Sequence, residues 1–406
     1  MKLIDIIQND IHAAYPDIHA VRLNTLFTFV KSGMTDQRVS VTYLGRGLKH
    51  HFNTSKKHDI KRADRLVGNP HLQFERPFFY EYRAEELVRN QPHPLVLIDW
   101  SPINGQKIFH LLRASIPMKG RSLTLYEKVF EEADLNTTEA HNQFLNELKG
   151  LLPSHCQPII ITDAIYRAPW FKQVASLGWY WLGRVRGQVS LSQDTKTWHT
   201  SYDYFATAKG GIAEDMGTLL YGKTAQLPCH GVIYKRSSKG RKAKKMRGGI
   251  SKRTTDKIHE KDAKEPWLLV CHLPRSMTRT HLAKRAVKLY EQRMQIEENF
   301  RDTKNSRLGI SVNDANSTRI ERFDILLLIA ALILFMLWCI GYTAILKNIQ
   351  HLLQANTVKA KRVLCVITVA REIIDDRRYD IPIEEGVYVL HHLSTFTVTM
   401  EQINQC

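Results

Sequence analysis

Two apolar runs constrain this chain more than any other feature: Pro94-Leu-Val-Leu-Ile-Asp99 and Pro158-Ile-Ile-Ile-Thr-Asp163. Each is opened by a proline and closed by an acid. Continuous apolar stretches of this length suit central strands buried on both faces, which predicts an α/β fold. A carboxylate at the end of a buried strand is costly unless it is paired or metal-bound, and two side by side repel. For either aspartate alone, a capping or turn role is the commoner explanation. The same ending on two similar runs calls for a shared one.

The intervening sequence supplies the rest of a core. Phe109–Ile116 and Ser122–Val129, joined by Met118-Lys-Gly-Arg, predict an antiparallel hairpin. Thr137 to Leu152 has helical spacing, with Thr137 or Thr138 as cap and Pro153 just beyond. After Asp163, Pro169 to Leu177 reads as a helix and Trp179–Gly187 as a strand. Three antiparallel strands, helix, strand, helix, strand is the order of a ribonuclease H-like core. In such a core the first and fourth strands are neighbours, so Asp99 and Asp163 would meet although 163 − 99 = 64 residues separate them. A divalent cation would relieve both the burial and the repulsion.

A third acid is offered by Tyr290-Glu-Gln-Arg293-Met-Gln-Ile-Glu297-Glu298-Asn-Phe-Arg-Asp-Thr-Lys304, in a helical segment starting near His281. On one continuous helix, Arg293, Glu297 and Lys304 fall at roughly −60°, −20° and −40° from Tyr290, and Glu298 at roughly +80°. One carboxylate then shares a stripe with an aromatic and two cations, which suits a site for a metal ion and a polyanion. The plainer reading is a surface helix laced with i,i+4 ion pairs.

Charge sharpens the choice. The chain of 406 residues carries 58 − 40 = +18, which points first to nucleic acid and second to an anionic membrane surface. Residues 235–264 hold 13 Lys and Arg against 3 acids, a net of +10 and over half of the excess. Such a run is expected to be mobile until it meets phosphates, which it grips without reading sequence. Residues 1 to about 90 read as helical: Ile6, Ile7, Ile11 and Ala14 keep helical spacing until Pro16. Lys56 to Asn69 is a basic helical stretch closed by Gly-Asn-Pro and capped by Ser55 or Thr54, with Lys61, Arg62 and Arg65 either contacting DNA or forming a solvated face. The strand Trp267–Pro274 precedes the signature helix, and Asn305–Thr318 follows it as a loop. Ile325–Leu346 runs 22 residues without a charge, as a membrane span or a fully buried central helix would. Two further helices are expected after Gln354, with a basic start at Lys359-Ala-Lys-Arg. The six cysteines are scattered without zinc spacing, as free thiols in a reducing cytosol would be. The N-terminus is acidic and amphipathic, unlike an export signal.

Together, Asp99 in Leu-Ile-Asp-Trp-Ser, Asp163 in Ile-Thr-Asp-Ala and the spacing Y-x2-R-x3-E-x6-K of Tyr290, Arg293, Glu297 and Lys304 resemble the DDE transposases of insertion-sequence family four. The likeness is to the Tn-ten type and spans nearly the whole chain. Arg-Leu-Asn near 22, Ile-Lys-Arg-Ala-Asp-Arg-Leu near 60, Arg-Ser-Leu-Thr-Leu-Tyr-Glu-Lys from 121, Lys-Glu-Pro-Trp from 264 and Gln-Ala-Asn-Thr-Val from 354 belong to it in order.

The resemblance implies an α/β protein with a ribonuclease H-like catalytic core interrupted by a β-rich insertion, with helical N-terminal and C-terminal regions. Its domains would be a helical DNA-binding domain (1–90), the first part of the core (91–187), the insertion with its basic loop (188–264), the second part of the core (265–350) and a helical C-terminal region that pairs protomers (351–406). It implies a cytoplasmic, nucleoid-associated bacterial enzyme, without a membrane span, that acts as a homodimer on the terminal inverted repeats of its own element and on target DNA. Asp99, Asp163 and Glu297 would hold two Mg²⁺ ions about 3.5–4 Å apart, with Mn²⁺ able to substitute. Tyr290, Arg293 and Lys304 would grip phosphates at the cleaved end. Trp267 would stack on a flipped base unless it is a core tryptophan, and Arg184, or equally Arg186, would contact a hairpin. The rival readings are a structure-specific nuclease of the same fold, a catalytically inactive DNA-binding relic and a membrane-anchored basic protein.

Overall fold

The computed structural model describes residues 2–50, 53–104, 108–237, 253–254, 265–275, 281–307, 309–355, 357, 361–376, 378–379, 381–399 and 402–403. Most of the basic run 235–264, and Lys359 with Ala360, lie outside these residues. The chain forms two compact units, one of Met1–Cys156 with Met294–Thr399 and one of Gln157–Arg293 with Met400–Cys406.

The first unit begins with helices α1 (Lys2–Ala14), α2 (Ala20–Asp36), α3 (Val41–Gly47), α4 (Lys56–Val67) and α5 (Pro70–Val88). The buried stripe of α1 is Leu3, Ile4, Ile7 and Ile11, not the set ending at Ala14, which is exposed. Ser55 caps α4 by accepting from His58 N–H, and Gly68 ends it. A Cβ on Gly45 of α3 would lie 2.6 Å from the Cα of Ile60, so glycine allows the two helices to cross with their backbones almost touching.

Next come β1 (Leu95–Asn104), β2 (Ile108–Ile116) and β3 (Leu123–Phe130), an antiparallel meander in the order β3-β2-β1. Helix α6 (Thr138–Leu151) follows, capped by Thr137. Asp99 does not end its strand as the apolar run suggests. The ladder with β2 continues to Asn104, because Ser101 and Ile103 still pair with Leu111 and Phe109.

The second unit contains β4 (Ile159–Thr162), α7 (Ala168–Ser176), β5 (Tyr180–Val185), β6 (Ser190–Ser192), β7 (His199–Thr200), α8 (Ser201–Phe205), β8 (Ala213–Tyr221), β9 (Leu227–Tyr234), β10 (Trp267–His272) and α9 (Leu282–Glu291). Its strands run in the order β4-β5-β10-β9-β8-β6-β7. β4 and β5 are parallel, as an α7 crossover requires, and β10 is antiparallel to both β5 and β9. The segment read as a β-rich insertion supplies β6 to β9 of this sheet.

The first unit resumes with α10 (Met294–Lys304), α11 (Ile320–Leu346), α12 (Gln350–Leu353), α13 (Val366–Asp375) and α14 (Ile383–His391). The signature helix is therefore two helices. Gln292 and Arg293 form a turn whose N–H groups bond three residues back, to Leu289 (3.1 Å) and Tyr290 (3.0 Å). The buried pattern explains the break. Ala283, Ala286, Val287 and Tyr290 would continue to Met294 and Glu297, which are exposed, whereas burial restarts at Ile296, Asn299, Phe300 and Thr303. The single-helix alignment of Tyr290 and Arg293 with Glu297 therefore does not apply, although Glu297 and Lys304 still share a face within α10.

Helix α11 is the spine of the first unit. It packs against α2, α5, β3, α13 and α14, and nearly all of its apolar stretch is buried by them. Protein covers the surface that a bilayer would otherwise have to cover. At Gly341 a Cβ would lie 2.0 Å from Val366 O, so only glycine lets α13 start this close.

Candidate active site

In the first unit, Asp99 lies on β1 and is half-buried, while the flanking Ile98 and Trp100 are buried. Its Oδ1 accepts the Trp100 N–H at 2.9 Å, and its cross-strand partner is Arg113. Ser101 is two residues on and so shares Asp99's side of the strand. Lys304 reaches this side from α10: its Nζ donates to Ser101 Oγ and to Pro102 O (3.1 Å). Burial, helped by the Arg113 charge and opposed by Asp99, pulls the Lys304 ammonium down to about 8. The lysine thus lies within the field of Asp99, seated on the strand that carries it.

Glu297 is exposed in the first turn of α10. Its neighbour Glu298 pairs with Arg121 and with Arg301 (3.6 Å), and Arg121 also holds Asp302 at 3.0 Å. The two glutamates are as unlike as their positions on the helix imply. Glu298 anchors α10 to the chain before β3, whereas Glu297 lies about 100° round the helix from it and is exposed.

In the second unit, Asp163 follows β4 directly, where its Oδ1 accepts the Ile165 N–H at 3.0 Å. Tyr290 closes α9 and is only 4% exposed. It meets Trp267 edge to face, ring centroids 4.9 Å apart, and the Arg293 guanidinium lies 6.0 Å from its own centroid. Burial raises the Tyr290 hydroxyl's pKa against the opposing charges of Arg293 and Arg184, while Asp163 adds to the rise. Tyr290 thus packs against Trp267 and Arg293 and feels the charges of Arg184 and Asp163. Trp267 is half-buried at the start of β10, with the Arg236 guanidinium 4.2 Å from its ring centroid. Arg184 and Arg186 both bond Glu265, each at 3.0 Å, so one carboxylate holds both candidates for the hairpin contact.

On α4 the exposed cations are Lys56, Lys57, Lys61 and Arg65, while Arg62 is half-buried. Asp59, Ala63, Leu66 and Val67 form its inner face.

Residues 90–334 match the family described as Transposase DDE domain. The chain belongs to that family. No curated protein matches it. The matched region is well over half of the chain and contains Asp99, Asp163, Trp267 and the whole Tyr290–Lys304 signature. The protein is therefore a transposase, of a family of enzymes that generally uses divalent metals.

The donors of this transposase suit such an ion chemically. Asp99 and Asp163 are half-exposed and Glu297 is exposed, so each offers hard oxygen to a hydrated cation. Among the described residues, no group of three or more His, Cys, Asp or Glu stands close enough to hold a metal. The described cysteines are free, and all but Cys365 are buried. Ser101, Arg113, Arg236 and Glu265 were not anticipated as part of either cluster. Ser101 had a sequence signal, lying two residues from an aspartate on a strand. The others are placed by long-range pairing, which no local pattern reports.

Proposed function

We propose that this transposase is of insertion-sequence family four and moves its element by cut and paste, with Asp99, Asp163 and Glu297 as the catalytic acids of a ribonuclease H-like core. The observation that carries this reading is the domain match spanning all three acids, with Lys304 of the signature seated on the strand of Asp99. The three carboxylates would hold Mg²⁺, or Mn²⁺ in its place. Bound there, such ions supply Lewis-acid stabilisation of charge on attacking and leaving oxygens. Each step is an in-line displacement at phosphorus: water frees a 3′-OH at the element end, and that 3′-OH attacks the opposite strand to give a hairpin. Water then reopens the hairpin, and the freed 3′-OH joins target DNA.

The remaining residues hold the DNA. Lys304 and Arg293 bring cations to the phosphates flanking the scissile bond. Tyr290 acts by packing, fixing Trp267 edge-on so that the indole is available to a flipped base. Arg184 and Arg186 contact the bent strand, and α4 with the basic run 235–264 binds backbone outside the scissile region. The DNA-bound form is a homodimer pairing two terminal repeats, in the cytoplasm and without a membrane.

The test is a single-turnover assay on a duplex carrying the short inverted repeats that should flank the gene. Asp99→Ala, Asp163→Ala and Glu297→Ala are expected to abolish Mg²⁺-dependent nicking, a loss of 10³-fold or more on the scale of metal-assisted hydrolysis, while end binding persists. Trp267→Ala should slow hairpin formation more than nicking. Nicking by Glu297→Ala together with its loss in Glu298→Ala would overturn the assignment, as would products that never join a target.

A further inference from the structure

Arg113 occupies the middle of β2, opposite Asp99 on β1 and opposite Glu127 on β3. It is 1% exposed, and Glu127 is 0%. Its Nε and Nη2 donate to Glu127 Oε2 at 2.8 and 2.5 Å. Its Nη1 crosses to α10, donating to Thr303 Oγ1 at 2.9 Å and to Asn299 Oδ1. The guanidinium also lies 5.0 Å from the Phe300 ring centroid. Asn299 completes the seat, accepting from Thr124 Oγ1 (3.3 Å) and donating to Ser122 O (2.8 Å). Thr303 Oγ1 donates to Asn299 O at 3.0 Å.

A buried ion pair seldom adds stability over a well-packed apolar substitute, because desolvation cancels the attraction. What this one supplies is geometry. A planar fork held on one side by Glu127 leaves its third nitrogen one direction to donate in. That direction sets the height and rotation of α10 on the sheet, and α10 presents Glu297 from the face opposite Asn299 and Thr303. The same guanidinium is the cross-strand neighbour of Asp99.

We propose that Arg113, through Asn299 and Thr303, is a positioning residue that sets Glu297 relative to Asp99, and so tunes how the pair takes a divalent ion. This rests on the reading of those two acids as catalytic.

The experiment uses the full chain with Thr303→Val, Thr303→Ser and Arg113→Lys, alongside Glu297→Ala. Three quantities are read: end binding without metal, Mn²⁺ affinity from the resonance of free Mn²⁺, and single-turnover nicking. Thr303→Val removes the hydroxyl that accepts from Arg113 and donates to Asn299 O, and is expected to keep end binding within about twofold, while Mn²⁺ affinity and nicking fall about ten- to a hundred-fold. Thr303→Ser restores the hydroxyl and should restore both. Arg113→Lys, where folded by its melting curve, should be impaired at least as much as Thr303→Val, since a compact ammonium cannot span from Glu127 to α10 as the planar guanidinium does. The proposal is overturned if Thr303→Val nicks and binds Mn²⁺ like the parent, if Thr303→Ser is as impaired as Thr303→Val, if end binding falls in step with nicking, or if folded Arg113→Lys is fully active. Failure of the underlying reading has a different signature, in which Glu297→Ala itself still nicks.

Discussion

At the scale of single residues, environment separates side chains that the sequence sets next to each other. Glu297 and Glu298 are consecutive, yet one faces outward from α10 and the other is tied to Arg121 and Arg301. His141 shows how burial fixes a protonation state. The Trp100 Nε1–H donates to His141 Nε2 at 3.1 Å, so the imidazole serves as a neutral acceptor beneath β1. Burial pulls His141 down from 6.5 to about 4. Because the folded value lies below the unfolded one, its contribution to stability is complete above pH 6.5 and is lost as the pH falls toward 4. That loss is on the order of 3 kcal/mol. The melting midpoint should drop across this window and drop less in His141→Gln, whose amide oxygen can accept the indole N–H without titrating. Equal drops in the two proteins would remove His141 from the acid response.

At the scale of elements, the division of the signature segment into α9 and α10 matters most. Tyr290 is held by the aromatic contact with Trp267, whereas α10 is held by a polar seat on β2 and β3. Two different anchors demand two helix phases, and the turn at Gln292–Arg293 absorbs the difference. Helix α4 presents a simpler division, with a small inner face against α3 and cations outward. If it binds phosphate backbone, Lys61→Ala with Arg65→Ala should weaken binding to any duplex about equally. It should also lower the slope of log affinity against log salt by about 2. An unchanged slope would return these cations to the role of a solvated face.

At the scale of the whole molecule, the most apolar segment of a strongly basic chain turns out to be almost wholly covered by protein. Helix α11 is enclosed by α2, α5, β3, α13 and α14. Truncating Leu328, which is fully buried, should therefore cost about 2–5 kcal/mol in urea unfolding, as for a core leucine. A loss of a few tenths would instead fit a lipid-facing side chain.

The sequence by itself determined the α/β alternation, the caps of α4 and α6 and the element order from β1 to β5. These follow from periodicity, proline and glycine positions and short-range hydrogen bonding, all local. It also singled out Asp99, Asp163 and Glu297 as the acids proposed to be catalytic, because metal-assisted chemistry restricts residue type and spacing strongly. Tertiary structure alone decided that Asp99 lies within its strand, that the Tyr290–Lys304 segment is divided between two helices, and that Lys304 rests on Ser101 and Pro102. It also decided that Arg113 ties three elements together. Each of these depends on partners far away in the chain, such as Thr303, 190 residues from Arg113. A pattern read over neighbouring residues cannot contain a bond whose other end is set by how sheets and helices stack.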